Sequence, residues 1–126
     1  MIIRSIEHKD IPEIAEIHQA HFKEEFELHD FLQKHLCAFL VEDDHGIIAA
    51  TGIRPIAEIV VITNKDRTPI DRMKAFYQLF DASIFITQRH GFDQLHCFVQ
   101  DPKWSKRVQK SFGFVPTKGQ SLVLDI

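Results

Sequence analysis

The stretch that decides the fold is AEIVVITNKDRTPID, residues 57–71. Its first half is an apolar run rich in β-branched residues, which is typical of a strand, and a helix start follows at Thr68-Pro69. The cations Lys65, Arg67 and Arg72 flank that helix start. Because a helix N-terminus offers unpaired N–H donors and a partial positive charge, the stretch predicts a phosphate site. The loop contains no glycine, so its backbone cannot wrap a phosphate as a P-loop does.

Composition restricts the class of protein. The chain has 126 residues and a net charge of −3, which predicts one domain over residues 1–126 and argues against a general nucleic-acid binder. It has no long apolar stretch and no signal-peptide pattern, so we expect a cytoplasmic protein that does not enter a membrane. Cys37 and Cys97 have neither metal-binding nor redox spacing, and free buried thiols are the expectation.

The pattern of apolar periods and turn residues predicts a mixed α+β fold with the order β-α-α-β-β-β-α-β-α-β. Asp10 and Glu13 have capping-box spacing at the first helix. The predicted elements are a strand at Ile2–Ile6, a helix from Asp10, a second helix at Glu24–His35, a hairpin of Cys37–Glu42 and Ile47–Ile53, a strand at Glu58–Thr63, a helix at Pro69–Arg89, a strand at Gln94–Val99, a helix at Asp101–Phe112 and a strand at Ser121–Ile126.

This order of elements resembles the GCN5-related N-acetyltransferase (GNAT) superfamily along the whole chain. The strongest local similarity is Gly91–Asp101 followed by Val108–Phe114, with its two Gly-Phe pairs. The resemblance implies a central mixed, mostly antiparallel sheet and transfer of an acyl group from acetyl-coenzyme A, or another acyl-coenzyme A, to an amine. It implies a small-molecule or protein acceptor, and homodimers are common in the family.

In that family the coenzyme lies where the fourth and fifth strands splay apart. The fourth strand pairs with the pantetheine arm, and the pyrophosphate lies on the loop and helix start that follow. The resemblance therefore implies cofactor contacts from Ile59, Val60, Val61, Ile62, Thr63, Lys65, Arg67, Thr68 and Arg72.

Three departures from the family pattern leave an alternative open. The pyrophosphate loop lacks its glycines, and Pro69 removes one N–H donor. The position of the family's late tyrosine, the acid that reprotonates the thiolate, is Gln109, and the only tyrosine is Tyr77. Asp101-Pro102 replaces an asparagine common at the start of the last helix. The alternative is therefore a catalytically inactive GNAT-fold module for binding or interaction.

Two residues are candidate general bases for deprotonating the amine. Glu58 lies on the predicted fourth strand, where a carboxylate in a cleft could have a raised pKa. His96 lies on the predicted fifth strand, and imidazole titrates near neutral pH. The simpler interpretations are a solvated strand residue and a core histidine. Cys97 has no activating cation near it in the sequence, so it is a poor candidate nucleophile.

A row of histidines has two interpretations. His18, His21, Glu25 and His29 have helical spacing, and one continuous helix would place these possible metal ligands on one face. A solvated face is the commoner origin of such a row, and a break between the first two helices would disperse it. We therefore predict no metal site.

Overall fold

The computed structural model describes residues 1–126 and has an α+β fold with two small sheets. Its contacts divide the chain into two compact units, Met1–Pro55 with Lys118–Ile126, and Ile56–Thr117. The elements, in chain order, are β1 (Ile2–Ser5), a short 3-10 turn (His8–Asp10), α1 (Ile11–His21), β2 (Cys37–Asp43), β3 (Gly46–Ile53), β4 (Ala57–Glu58), α2 (Pro69–Arg89), β5 (Leu95–His96) and α3 (Pro102–Phe112).

The first unit contains an antiparallel sheet in the order β1-β2-β3. The β2–β3 hairpin confirms the prediction, with Cys37 opposite Ile53 and a turn between Asp43 and Gly46. The Asp43 carboxylate accepts a hydrogen bond from the amide of His45, and Gly46 has φ of 122°. Since L residues rarely adopt that φ, glycine is the residue that permits this turn.

An ion cluster joins β1, β2 and the 3-10 turn. The Arg4 guanidinium donates to both oxygens of Asp10, at 2.7 and 2.8 Å, and to both oxygens of Glu42, at 2.7 and 2.9 Å. Hydrogen bonds from Arg4 hold the pKa of both carboxyl groups below the usual range, and the Glu7 amide adds to the effect at Asp10. The cluster therefore stabilises the charged form of an aspartate whose side chain is 6% exposed.

The core of this unit is small. Ile6, Ile14 and Leu40 are buried, and Leu40 is the most completely enclosed at 1% exposure. The partly buried side chains around them are Ile11, Leu28, Phe31, Leu32, Ala38 and Ile47. The apolar period predicted for α1 therefore places Ile14 against the sheet.

The predicted second helix at Glu24–His35 is wrong, because this segment forms turns and loop. The Asp30 carboxylate accepts from the amides of Leu32 and Gln33, and the Asp30 carbonyl is in contact with the His35 ring nitrogen at 3.1 Å. Such local bonds from side chains to the backbone compete with a helix. The segment follows the sheet instead, where the amide of Leu36 donates to the carbonyl of Ile53.

The predicted capping box at Asp10 and Glu13 is also wrong. Asp10 makes no side-chain cap for α1, since its carboxylate accepts from Arg4 and the Glu7 amide. The Glu13 carboxylate accepts from the amide of Ile47, at 2.9 Å. A Cβ at Gly46 would lie 2.7 Å from that carboxylate, so the glycine also leaves room for this contact.

The second unit is built on α2, confirmed with its predicted ends, and on α3, which begins at Pro102 because Asp101 is its N-cap. Phe76, Phe80 and Val108 are its buried residues. Phe80 stacks on Phe112 with ring centroids 4.2 Å apart, and Phe76 contacts Trp104 at 4.7 Å. Aromatic pairs at these distances add to stability beyond the effect of the area that they bury, so they fix the packing of the two helices.

The remaining strand predictions are wrong in extent. The strands predicted at Glu58–Thr63 and Gln94–Val99 are reduced to the two-residue strands β4 and β5, and Ser121–Ile126 forms no strand. The predicted single central sheet is two sheets, β1-β2-β3 and β4-β5. Pro55 has no N–H to continue the ladder of β3, and each short strand lacks a partner beyond its second residue.

None of the helices is long and apolar enough to cross a bilayer.

Candidate functional site

The strands β4 and β5 form a short parallel pair that opens at one end. Ala57 is opposite Leu95 and Glu58 is opposite His96, and the last hydrogen bond runs from the Ile59 amide to the His96 carbonyl, at 2.9 Å. Residues 60–63 then continue without a strand partner. Since backbone groups without a strand partner can form hydrogen bonds to a new one, an extended ligand could continue the pair at this end.

The pair brings together the two predicted bases. Glu58 and His96 are direct neighbours across the ladder, so their side chains project toward the same face of the sheet. Glu58 is exposed, whereas the Nε2 atom of His96 is buried and has no hydrogen-bond partner. A carboxylate and an imidazole side by side can accept a proton from a substrate, directly or through water.

Cys97 follows this pair. Burial, and secondarily the negative charge of Glu58, raises the pKa of the Cys97 thiol. A raised pKa keeps the sulfur protonated near neutral pH, and the protonated thiol is a weak nucleophile. The structure therefore adds a physical reason to the sequence argument against nucleophilic catalysis by Cys97.

The loop before α2 is closed by its own side chains. The Asn64 side chain accepts from the amide of Asp66, and its carbonyl accepts from the amide of Arg67. The Thr68 hydroxyl caps α2 by accepting from the amide of Asp71, at 3.1 Å, which confirms the predicted N-cap. Pro69 follows as the first helical residue. These bonds shape the loop without glycine.

A cleft of about 260 Å³ lies beside this loop. Its lining includes Ile62, Thr63, Arg67 and Arg72, which are four of the predicted cofactor residues, over a floor that includes Phe76 and Leu79. Five other predicted residues do not line it, namely Ile59, Val60, Val61, Lys65 and Thr68.

The two arginines of the cleft differ in their partners. Arg67 pairs with Asp71 at 3.4 Å, and both side chains are well exposed, so solvent screens this pair. The Nε atom of Arg72 is buried and has no hydrogen-bond partner. Because an unsatisfied buried donor is costly, an anion in the cleft would gain most from Arg72. The sequence predicted both arginines as contacts without distinguishing them, since burial and pairing are not visible in a local pattern.

Neither Gln109 nor Tyr77 belongs to the lining of the cleft. Gln109 donates to the Ser105 hydroxyl at 3.1 Å, within one turn of α3. Tyr77 packs on the Phe112 ring, with ring centroids 5.1 Å apart.

The histidine row is divided by the fold. The helix α1 ends at His21, and Glu25 and His29 lie beyond it in turns and loop. The ring of His18 is in contact with the carbonyl of Phe26 at 2.7 Å. No three histidine, cysteine or acidic residues lie close enough to hold a metal ion.

No protein-family model, curated protein or solved structure matches this chain.

Proposed function

We propose that this chain is a divergent GNAT-like protein that binds acyl-coenzyme A and transfers the acyl group to an amine. The observation that carries the proposal is the parallel β4–β5 pair, which ends after Glu58 and His96. Farther along the same segment, Ile62 and Thr63 line a cleft in which the Nε atom of Arg72 has no hydrogen-bond partner. The mixed α+β class of the structure supports it.

In this proposal residues 60–63, which have no strand partner, pair with the pantetheine arm through their backbone groups, because the Ile59 amide already donates to the His96 carbonyl. The pyrophosphate lies at the N-terminus of α2, where the amide of Ile70 has no intrahelical acceptor and Arg72 supplies the unpartnered donor. Arg67 adds charge once its exposed pair with Asp71 opens, and Lys65 and Thr68 border the phosphate from the loop.

The chemistry is direct attack of the amine nitrogen on the thioester carbon. Glu58 or His96 accepts the amine proton, and backbone N–H groups of residues 60–63 stabilise the oxyanion. The tetrahedral intermediate then collapses, the carbon–sulfur bond breaks, and the thiolate takes a proton from solvent because Gln109 cannot donate one as an acid.

A second candidate is a module that binds acyl-coenzyme A, or another ligand in the same cleft, without turnover. The bond between Gln109 and Ser105 favours it, since Gln109 stands where the family has its acid and is engaged elsewhere. The two candidates agree on ligand binding and differ in thiol release.

The test measures binding of acetyl-coenzyme A by calorimetry and thermal shift, with release of free thiol in the presence of an amine panel. At a hundredfold excess over Kd, a ligand specific to the folded state stabilises it by about 2.7 kcal/mol. We expect Arg72→Met to weaken binding about tenfold, because a charge-assisted hydrogen bond contributes about 1.5–3 kcal/mol. Lys74→Met is the matched control, since it removes an exposed cation from the same helix outside the cleft.

Binding with thiol release that Glu58→Gln or His96→Gln abolishes supports the transferase. Binding without release for any amine supports the inactive module. An absence of binding at millimolar acetyl-coenzyme A overturns the coenzyme site. An equal loss of affinity in the Arg72 and Lys74 variants also overturns it.

A further inference from the structure

A second cavity lies within the first unit, between the start of α1 and the loop of residues 28–33. Its volume is about 370 Å³, which is at the lower end of the range of about 300–1,000 Å³ for small-molecule pockets. Its apolar lining comes from Ile11 and Ile14 of α1 and from Leu28, Phe31 and Leu32 of the loop. None of the residues proposed to bind coenzyme A belongs to this lining.

The loop that forms one wall is fixed to the sheet. Phe31 stacks on His35 with ring centroids 4.9 Å apart and an interplanar angle of 14°. The amide of Leu36 donates to the carbonyl of Ile53 at 2.7 Å. Gly52 has no side chain, and a Cβ there would lie 2.7 Å from the Phe31 ring and closer still to His35. The wall is therefore formed before any ligand arrives, and such pre-organisation lowers the cost of binding.

The edge of the cavity carries polar groups that are suited to a neutral ligand. His8 and Gln33 are exposed side chains, and both can donate and accept hydrogen bonds. No lysine or arginine belongs to the lining, and the nearby Arg54 is in contact with the ring nitrogen of the lining residue His29 at 3.3 Å, so an anion would enter without a counter-ion in the lining itself. The only carboxylate of the lining, on Asp30, accepts hydrogen bonds from two loop amides. Because this carboxylate is solvent-exposed, water would screen its attraction for a cationic ligand.

We propose that this cavity binds a small uncharged molecule with an apolar aromatic or branched aliphatic body and one hydrogen-bonding group. The body fills the space between Ile11, Leu28 and Phe31, and the polar group lies at the edge with His8 and Gln33. This proposal does not rest on coenzyme A binding, because its residues and its ligand class are both different.

The test uses three probes of nearly equal size and different charge, benzyl alcohol, benzylamine and benzoate. Binding to the full chain is followed by NMR shifts of the isoleucine and leucine methyl groups, without coenzyme A. We expect benzyl alcohol to shift the methyl signals of Ile11, Leu28 and Leu32 saturably. Benzoate and benzylammonium should bind at least about tenfold more weakly, because burying an unpaired charge costs more than the ~1.4 kcal/mol that tenfold represents.

Two leucine variants locate the binding. Leu28→Phe fills the cavity and should weaken the binding of benzyl alcohol at least about tenfold. Leu36→Phe, at a site that is 73% exposed, should leave the affinity for benzyl alcohol unchanged. If Leu28→Phe fails to fold, the methyl shifts of the unmodified chain still locate the ligand. Tighter or equal binding of either charged probe overturns the neutral class. Shifts confined to other methyl groups, or no saturable shift at millimolar alcohol, overturn the site.

Discussion

The burial of Leu40 gives a sharp test of the first unit's core. Leu40 lies on β2, is 1% exposed, and clusters with Ile6 and Ile14. Leu40→Ala removes the branch beyond Cβ, which represents about 2.4 kcal/mol of transfer free energy at ~0.8 kcal/mol per carbon. The residual cavity raises the expected loss of unfolding free energy to about 3–5 kcal/mol.

The assay is urea unfolding followed by circular dichroism, together with a thermal melt. For a chain of this size a loss of about 3 kcal/mol corresponds to a fall of about 10 °C in Tm. The matched control is Leu36→Ala, which makes the same chemical change just before β2 where the side chain is 73% exposed, and it should cost below about 1 kcal/mol. Equal losses in the two variants would refute the assignment of Leu40 to the centre of this core.

Two further predictions concern titrating groups. The pKa values of Asp10 and Glu42 are lowered by Arg4, so their contribution to stability is present above the ordinary carboxyl pKa of about 4 and is lost as the pH falls. Arg4→Met should therefore reduce the fall in unfolding free energy that is measured between pH 7 and pH 2. The same fall in the variant and the unmodified chain would contradict the role of Arg4 in this ion cluster. The second prediction is that maleimide at pH 7 labels Cys37, which is exposed, faster than Cys97, whose pKa is raised by burial; labelling in the reverse order would count against the geometry around Cys97.

The elements predictable from the sequence are those with local signals. The bounds of α2 followed from Thr68-Pro69 at its start and from the apolar period after it, and the β2–β3 hairpin followed from the turn residues before Gly46. The segment at Glu24–His35 has the same apolar period as a helix. The segment forms a loop instead, where the Asp30 carboxylate accepts hydrogen bonds from two backbone amides and so competes with helix formation. An apolar period carries no information about this competition.

The candidate site was predictable as a set of residues and not as a geometry. The order of elements indicated the loop before α2 and the strands that carry Glu58 and His96. Their direct pairing depends on the register of two strands that are far apart in the chain. The buried, unpartnered Nε of Arg72 depends on how α2 packs, which no local pattern encodes.

The contact between Glu13 and the Ile47 amide has a kinetic consequence. It joins a helix to a hairpin turn across 34 positions of sequence, whereas the turn itself closes locally. The turn can therefore form within microseconds from local contacts alone, but the Ile47 amide gains this partner only when α1 docks on the sheet, which is a non-local contact. The protection of this one amide against exchange thus reports the arrival of α1 on the sheet, separately from the formation of the hairpin on which it lies.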